Sequence, residues 1–147
     1  YSIIGLCWGG LTNIKLSAPV TASGNISSSR QITATQYLTQ QNSLTSSGTT
    51  QGTATVINLT NGGLLPITNS VNNAGVVLPT LEGIVNGSQV TIFNLSSTNA
   101  LRVYPFSGQA IGNLAPDVGA TLTSGQSLTI FRISDDQWFG SVGDAIS

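Results

Sequence analysis

The sequence predicts an all-β fold, arranged as a sandwich or a barrel and preceded by an extended N-terminal arm. Three observations lead to this prediction. From residue 52 onward, short segments alternate between apolar and polar residues, polar turn clusters separate them, and no segment has the period of a helix. Many short strands at a spacing of about 8–12 residues are typical of all-β sandwiches and barrels.

Composition divides the chain into an arm over residues 1–51 and a β domain over residues 52–147. The first 16 residues are apolar, so we expect them to be buried in this subunit or in a neighbouring one. The rest of the arm is rich in Ser, Thr and Gln. Its few apolar residues include five at a regular six-residue spacing: Val20, Ile26, Ile32, Leu38 and Leu44. An even period would place them on one face of short strands or β-helix turns, and the alternative is an extended polar arm held by neighbours.

The predicted strands follow one another with turn residues between them. TATVINL ends at a Thr-Asn-Gly-Gly turn cluster, and LLPIT and GVVLP each hold a proline, which marks a strand end or an edge. SQVTIFNL is the clearest strand and is introduced by the turn dipeptide Asn86-Gly87. NALRVYPF, QAIGNL, the strand–turn–strand segment ATLTSGQSLTIFRI and the closing QWFGSV complete the domain.

Three of these strands carry large apolar residues on both faces. Val90 and Ile92 oppose Phe93 and Leu95, and the strands around Leu101 and Leu128 repeat this arrangement. One face can fill the core, whereas the other needs a partner, unless the outer residues are isolated surface apolar groups. We therefore predict a subunit or capsid interface formed by Ile3, Ile4, Leu6, Trp8, Leu11, Phe93, Leu95, Tyr104, Phe106, Phe131 and Ile133.

Charge is scarce, with 6% charged residues and a formal net charge of −1. The only cations are scattered along the chain, at Lys15, Arg30, Arg102 and Arg132. Nucleic-acid binding and polybasic membrane binding both need clustered cations, so we expect neither. A soluble domain usually carries a few net charges that oppose self-association, and their near absence is compatible with association between copies or with a surface kept soluble by hydroxyl and amide groups.

The chemistry of most enzymes is missing from the composition. The chain has no His and a single Cys, Cys7, which removes histidine catalysis, thiolate zinc sites and intramolecular disulfides. Asp117 and the pair Asp135-Asp136 are typical of turns, although distant carboxylates could meet as in a glycosidase. We predict no enzyme activity, no cofactor and no metal site. Sugar stacking is a further alternative for four aromatic residues: Trp8, Tyr37, Tyr104 and Trp138.

Residues 78–139 also resemble a β-rich domain of viral structural proteins, found in tailed phages and other double-stranded DNA viruses. The shared frame consists of Gly87, Val90, Ile92, Asn94, Asn99-Ala100-Leu101, Val103-Tyr104-Pro105, Ser107-Gly108, Ile111, Leu114, Leu122, Gly125-Gln126-Ser127 and Trp138. The resemblance implies an antiparallel jelly-roll-like fold. Residues 20–39 are similar in style to the repetitive stems of phage fibres, which are commonly trimeric.

These observations together predict a virion structural protein on the exterior of the capsid. We expect a capsid decoration (cement) or head-fibre protein that binds the major capsid protein or another virion protein and forms a homotrimer. The alternative is the tip of a viral fibre that binds a receptor or a host surface glycan. A bacterial surface or extracellular matrix protein is a third class compatible with the composition.

Overall fold

Ten short strands account for the regular structure of the described residues. The computed structural model describes residues 43–58, 63–80 and 86–144. The strands are β1 (Leu44–Thr45), β2 (Thr55–Val56), β3 (Leu64–Thr68), β4 (Ala74–Val77), β5 (Gln89–Asn94), β6 (Leu101–Tyr104), β7 (Ala110–Ile111), β8 (Ala120–Leu122), β9 (Ser127–Arg132) and β10 (Gln137–Gly143), with one 3-10 turn at Gln51–Thr53. The prediction of an all-β fold is confirmed.

The first six strands form a β-solenoid of about three turns. Strands β1, β3 and β5 lie side by side in one sheet, here called sheet A, and β2, β4 and β6 lie side by side in sheet B. Every neighbouring pair among these six is parallel. The chain therefore alternates between the two sheets, and each turn stacks its strands on those of the turn before.

The predicted jelly-roll arrangement is wrong. A jelly roll is built from antiparallel strands, whereas the six solenoid strands pair in parallel, as between Leu65 and Ile92 in sheet A. The error has a physical cause: alternation of apolar and polar residues shows which side chains face a core, but parallel and antiparallel strands share that alternation. Turns of unequal length also hide the repeat, since Leu44 pairs with Ile67 while Leu65 pairs with Ile92.

The last four strands close the solenoid. Strand β8 pairs antiparallel with β6, and β9 pairs antiparallel with β5, so each sheet receives a strand of reversed direction after its third turn. Strand β10 then pairs antiparallel with β9, and the short β7 lies parallel to its first residues. Solenoids need terminal units that cover the exposed end of the stack. Strands β7 to β10 have this capping arrangement.

The core lies between the two sheets and consists of aliphatic side chains and one indole. In sheet A, Leu65, Ile92 and Leu128 occupy adjacent strands at the same level, and all three are buried. In sheet B, Val76 and Val103 are paired in the same way, and Trp138 is fully buried in the cap. Burial of each such side chain contributes roughly 1.5–3 kcal/mol relative to exposure. The alternation predicted for the strands around Val90, Leu101 and Leu128 is confirmed for these inward positions.

Asn94, the most deeply buried polar residue of the described residues, lies where the third turn meets the cap. The Asn94 side-chain amide donates hydrogen bonds to the carbonyl oxygens of Leu122 (3.1 Å), Thr123 (3.0 Å) and Asn99 (2.9 Å). Its Oδ1 accepts from the Ser96 N–H at 3.1 Å. The residue therefore joins the end of β5, the following turn and the end of β8.

Only part of the predicted N-terminal arm falls within the described residues. Residues 44–45 of that arm form β1, which pairs with β3. Of the five residues with six-residue spacing, Leu44 is described and the other four lie outside the described residues. The boundary between residues 51 and 52 stays a prediction.

Candidate functional site

The candidate site is the outer face of sheet A, defined here by Phe93, Leu95, Phe131, Ile133 and Phe139. It arises from the same alternation that builds the core. Val90 and Ile92 point inward from β5, so Phe93 and the following Leu95 point outward. Leu128 and Ile130 point inward from β9, so Phe131 and the following Ile133 also point outward. All five side chains are exposed.

The strand register arranges these side chains in two groups. Phe131 and Phe139 lie directly opposite each other across β9 and β10, and they are 40% and 49% exposed. Cross-strand neighbours on one face are close enough to contact, so these two rings form one group with Ile133, which follows Phe131 on the same face. Phe93 lies beside Ser127 of β9, so Phe93 and Leu95 form a second group, about 13 Å along the sheet, with the Thr91 and Thr129 pair between the two groups.

The outer face of sheet A carries no charge on its described strands. The other outward residues of β5, β9 and β10 are hydroxyl, amide or glycine residues: Gln89, Thr91, Ser127, Thr129, Gln137, Ser141 and Gly143. Thr91 and Thr129 are hydrogen-bonded to each other at 3.2 Å. The nearby cation, Arg132, is engaged with Asp135 at 2.6 Å and with the Ser134 carbonyl oxygen at 3.2 Å. Such a face can bind another apolar surface without the desolvation of a charge.

The structure separates the predicted interface residues into three sets. Phe93, Leu95, Phe131 and Ile133 share the outer face of sheet A. Tyr104 belongs to sheet B, and Phe106 lies in the turn that follows it. The remaining predicted residues, Ile3, Ile4, Leu6, Trp8 and Leu11, lie outside the described residues. The interface role of all three sets stays a prediction.

Tyr104 has partners within its own chain. Its ring covers Gly75 and Gly119, where an added Cβ would lie 2.8 Å and 2.7 Å from ring carbons. Its hydroxyl donates to the Thr49 carbonyl oxygen at 2.7 Å. The two glycines thus make room for the ring against sheet B. The fully buried Trp138 has no ring face available to a sugar. Trp8 and Tyr37, the other aromatic residues considered for sugar stacking, lie outside the described residues.

Phe139 is the residue that the sequence analysis missed. The segment QWFGSV was predicted as a strand, and in that strand Trp138 points inward. The same period of two that placed Phe131 outward therefore places Phe139 outward as well.

Asp117 lies in a turn, as predicted, and there it holds two loops together. Its backbone has a left-handed φ of 66°, which Asp adopts more readily than most residues. Its carboxylate accepts from the Gln51 side-chain amide at 3.0 Å and from the Gly108 N–H at 2.8 Å. These two hydrogen bonds, the one from Gln51 first, lower the pKa of Asp117 below its ordinary value of 3.8. The carboxylate is thus a structural acceptor.

The other carboxylates of the described residues also occupy turns and loops. Asp135 binds Arg132, Asp136 accepts from the Ser134 hydroxyl at 2.7 Å, and Asp144 accepts from the Gln126 amide at 2.7 Å. Within residues 43–58, 63–80 and 86–144, no group of three His, Cys, Asp or Glu side chains could hold a metal ion. The same ranges contain no helix with the length and hydropathy of a membrane span.

Comparison with known proteins gives no assignment. No family model matches the chain, and no curated protein is significantly similar to it.

Proposed function

We propose that this protein is a structural component of a virus particle, a capsid decoration or head-fibre protein that binds the shell and associates with copies of itself. The observation that carries the proposal is the outer face of sheet A, with its five exposed apolar side chains and no charged residue at the outward positions of β5, β9 and β10. Exposed apolar patches of this kind mark surfaces for other proteins.

The scaffold suits a structural role. Residues 44–56, 64–77 and 89–104 form stacked turns in which backbone groups pair along the axis of the stack. Each turn contacts mainly the turns next to it, and the interior is filled by side chains. The described residues bring no pair of carboxylates together in a shared site. A rigid body with an apolar face is better suited to assembly than to turnover.

The resemblance of residues 78–139 to viral structural domains supports the viral part of the proposal. Its weight is reduced because the jelly-roll fold that it implied is wrong. The trimeric state rests on the resemblance of residues 20–39 to fibre stems and is proposed on that basis.

Sedimentation equilibrium of the purified full chain at micromolar concentration tests self-association through the outer face of sheet A. We expect the wild-type chain to associate, and we expect Leu95→Ser and Phe131→Ser to weaken association by about tenfold or more, since a lost apolar contact of about 1.4 kcal/mol corresponds to tenfold in affinity. Val56→Ser is the matched control, because Val56 is exposed (65%) and belongs to β2 in sheet B.

A second experiment tests the location on the particle. Virus particles from the source of this sequence would be purified on a density gradient and analysed by mass spectrometry and cryo-electron microscopy. The proposal requires the protein to co-purify with particles and to be visible on the capsid exterior. Absence of the protein from intact particles would refute the viral assignment and leave the self-association result unaffected.

A receptor- or glycan-binding fibre tip is the alternative function. The described residues do not favour it, since Trp138 is buried and the Tyr104 ring lies over Gly75 and Gly119. The exposed rings of sheet A are phenylalanines, which carry no polar group of their own for sugar hydroxyls. Specific binding on a glycan array would nevertheless establish this alternative.

A further inference from the structure

Strand β10 leaves part of its edge without a partner among the described residues. On one side it pairs with β9 from Trp138 to Gly143. On the other side β7 covers only Gln137 and Trp138. Residues 139–143 therefore form a free edge of sheet A.

The hydrogen-bond pattern shows which backbone groups face this free edge. The Ile133 N–H donates to the Gln137 carbonyl oxygen at 3.1 Å, so Gln137 and every second residue after it direct their peptide groups toward β9. The residues between them direct their peptide groups away from β9. The Trp138 carbonyl oxygen, for example, accepts from the Gly112 N–H at 2.7 Å. Gly140 and Val142 thus present their N–H and C=O groups outward.

The free edge lacks the features that usually prevent pairing. Its sequence, FGSVG, contains no charged residue and no proline. Phe139 and Val142 are both about half exposed. Natural proteins usually protect such edges with lysines, prolines or bulges, because an open strand is a template for another strand.

We propose that two copies of this chain pair through residues 139–143 of β10, as antiparallel strands related by a two-fold axis at Ser141. In this register Gly140 of one copy lies opposite Val142 of the second copy. Both residues direct their peptide groups outward, so each of the two such pairs forms two hydrogen bonds. The contact ends where β7 covers Trp138, which limits the pairing to these five residues.

The side chains fit this register on both faces of the strand. Val142 faces Gly140 of the second copy, and Phe139 faces Gly143 of the second copy, so each large apolar side chain lies opposite a glycine. Ser141 of one copy lies opposite Ser141 of the second copy, at the two-fold axis. Packing within the chain also requires glycine at position 140, because an added Cβ would clash with the backbone of Thr129 and lie 2.7 Å from the Ile130 Cα.

Charge and surface continuity favour a second copy as the occupant. Each chain has a formal net charge of −1, so repulsion between two copies is weak. Pairing at β10 would also join the outer faces of the two A sheets, with Phe131 and Phe139 of each copy next to the joint. The two-fold contact differs from the three-fold association proposed above, and it does not depend on the viral role.

A cysteine cross-link tests the register. In a Cys7→Ser background, Ser141→Cys would place two thiols across the axis in a non-hydrogen-bonded pair, where the Cα atoms lie about 4.5 Å apart and a disulfide can form. Gly143→Cys is the control, because in this register its two Cα atoms would be separated by four residues of strand, about 13 Å. Mild oxidation should give a covalent dimer for Ser141→Cys only. A cross-link at residue 143 and none at residue 141 would overturn the register.

Sedimentation equilibrium tests the contact itself. Val142→Lys should raise the dissociation constant of the two-fold pair by about tenfold or more, because it brings two cations together at the pairing edge. Val118→Lys is the matched control, since Val118 and Val142 are 44% and 47% exposed. The proposal requires assemblies with an even number of chains. The two-fold contact by itself gives a dimer, and together with a three-fold contact it gives a hexamer. A wild-type monomer at tens of micromolar, or an odd-numbered assembly, would refute it.

Discussion

Replacement of Asn94 tests whether the junction between the solenoid and its cap depends on one buried amide. Asn94 is 1% exposed and makes four side-chain hydrogen bonds. Asn94→Leu keeps the number and branching of the side-chain heavy atoms but removes all four hydrogen bonds, and of the four groups the Thr123 carbonyl oxygen still accepts from the Gln126 N–H at 3.1 Å. Among these four, the hydrogen bond to Leu122 is the fully buried one, and water can reach the other three groups in part.

The expected loss follows from these hydrogen bonds. A buried polar group without a partner costs about 1–3 kcal/mol. The fully buried Leu122 carbonyl and two partly solvated groups, the Asn99 carbonyl and the Ser96 N–H, together give about 3 kcal/mol for Asn94→Leu. In a chain of this length, that corresponds to a fall in Tm of roughly 10 °C. Urea unfolding followed by circular dichroism measures the loss as a shift in midpoint at constant slope.

Asn94→Asp adds a pH dependence to the same experiment. An ionised carboxylate would face three carbonyl oxygens, so its pKa should rise above the unfolded value. The folded state would then bind more protons than the unfolded state, and stability should fall as pH rises from about 4 to 7. Asn113→Leu is the control, since Asn113 is exposed in a loop. A loss below about 0.5 kcal/mol for Asn94→Leu would refute the reasoning, because exposed sites show changes of that size.

Three further predictions concern the core, sheet B and the loops. Ile92→Ala should destabilise the protein by about 2–5 kcal/mol in urea unfolding, since it leaves a cavity between the sheets. Gly119→Ala should cost about 1–3 kcal/mol by displacing the Tyr104 ring, and combining it with Tyr104→Ala should relieve that cost. Asp117 has a folded pKa below 3.8, so its hydrogen bonds stabilise the protein above that pH, and the stabilisation is lost as pH falls through the folded pKa. The stability difference between wild type and Asp117→Asn should therefore shrink from pH 5 toward pH 2, and a constant difference would contradict the assignment.

The outward residues of the candidate face could be predicted from the sequence more readily than the fold could. Phe93 and Phe131 were placed outward because a strand exposes alternate residues, and this rule needs no knowledge of the neighbouring strand. Phe139 obeys the same rule. The sequence could not predict that Phe131 and Phe139 lie opposite each other, because this depends on the register of β9 and β10.

By itself, the sequence determined that the chain is all-β and which side chains face the interior, since both follow from local alternation and turn residues. Only the tertiary structure decided that the strands stack in parallel as a solenoid, because each pairing, such as Leu65 with Ile92, joins residues far apart in the chain. It also decided that Tyr104 packs over Gly75 and Gly119 and that residues 139–143 of β10, beyond the short β7, have no partner strand on one side among the described residues. These features depend on which segments meet in space, and short-range patterns do not encode that information.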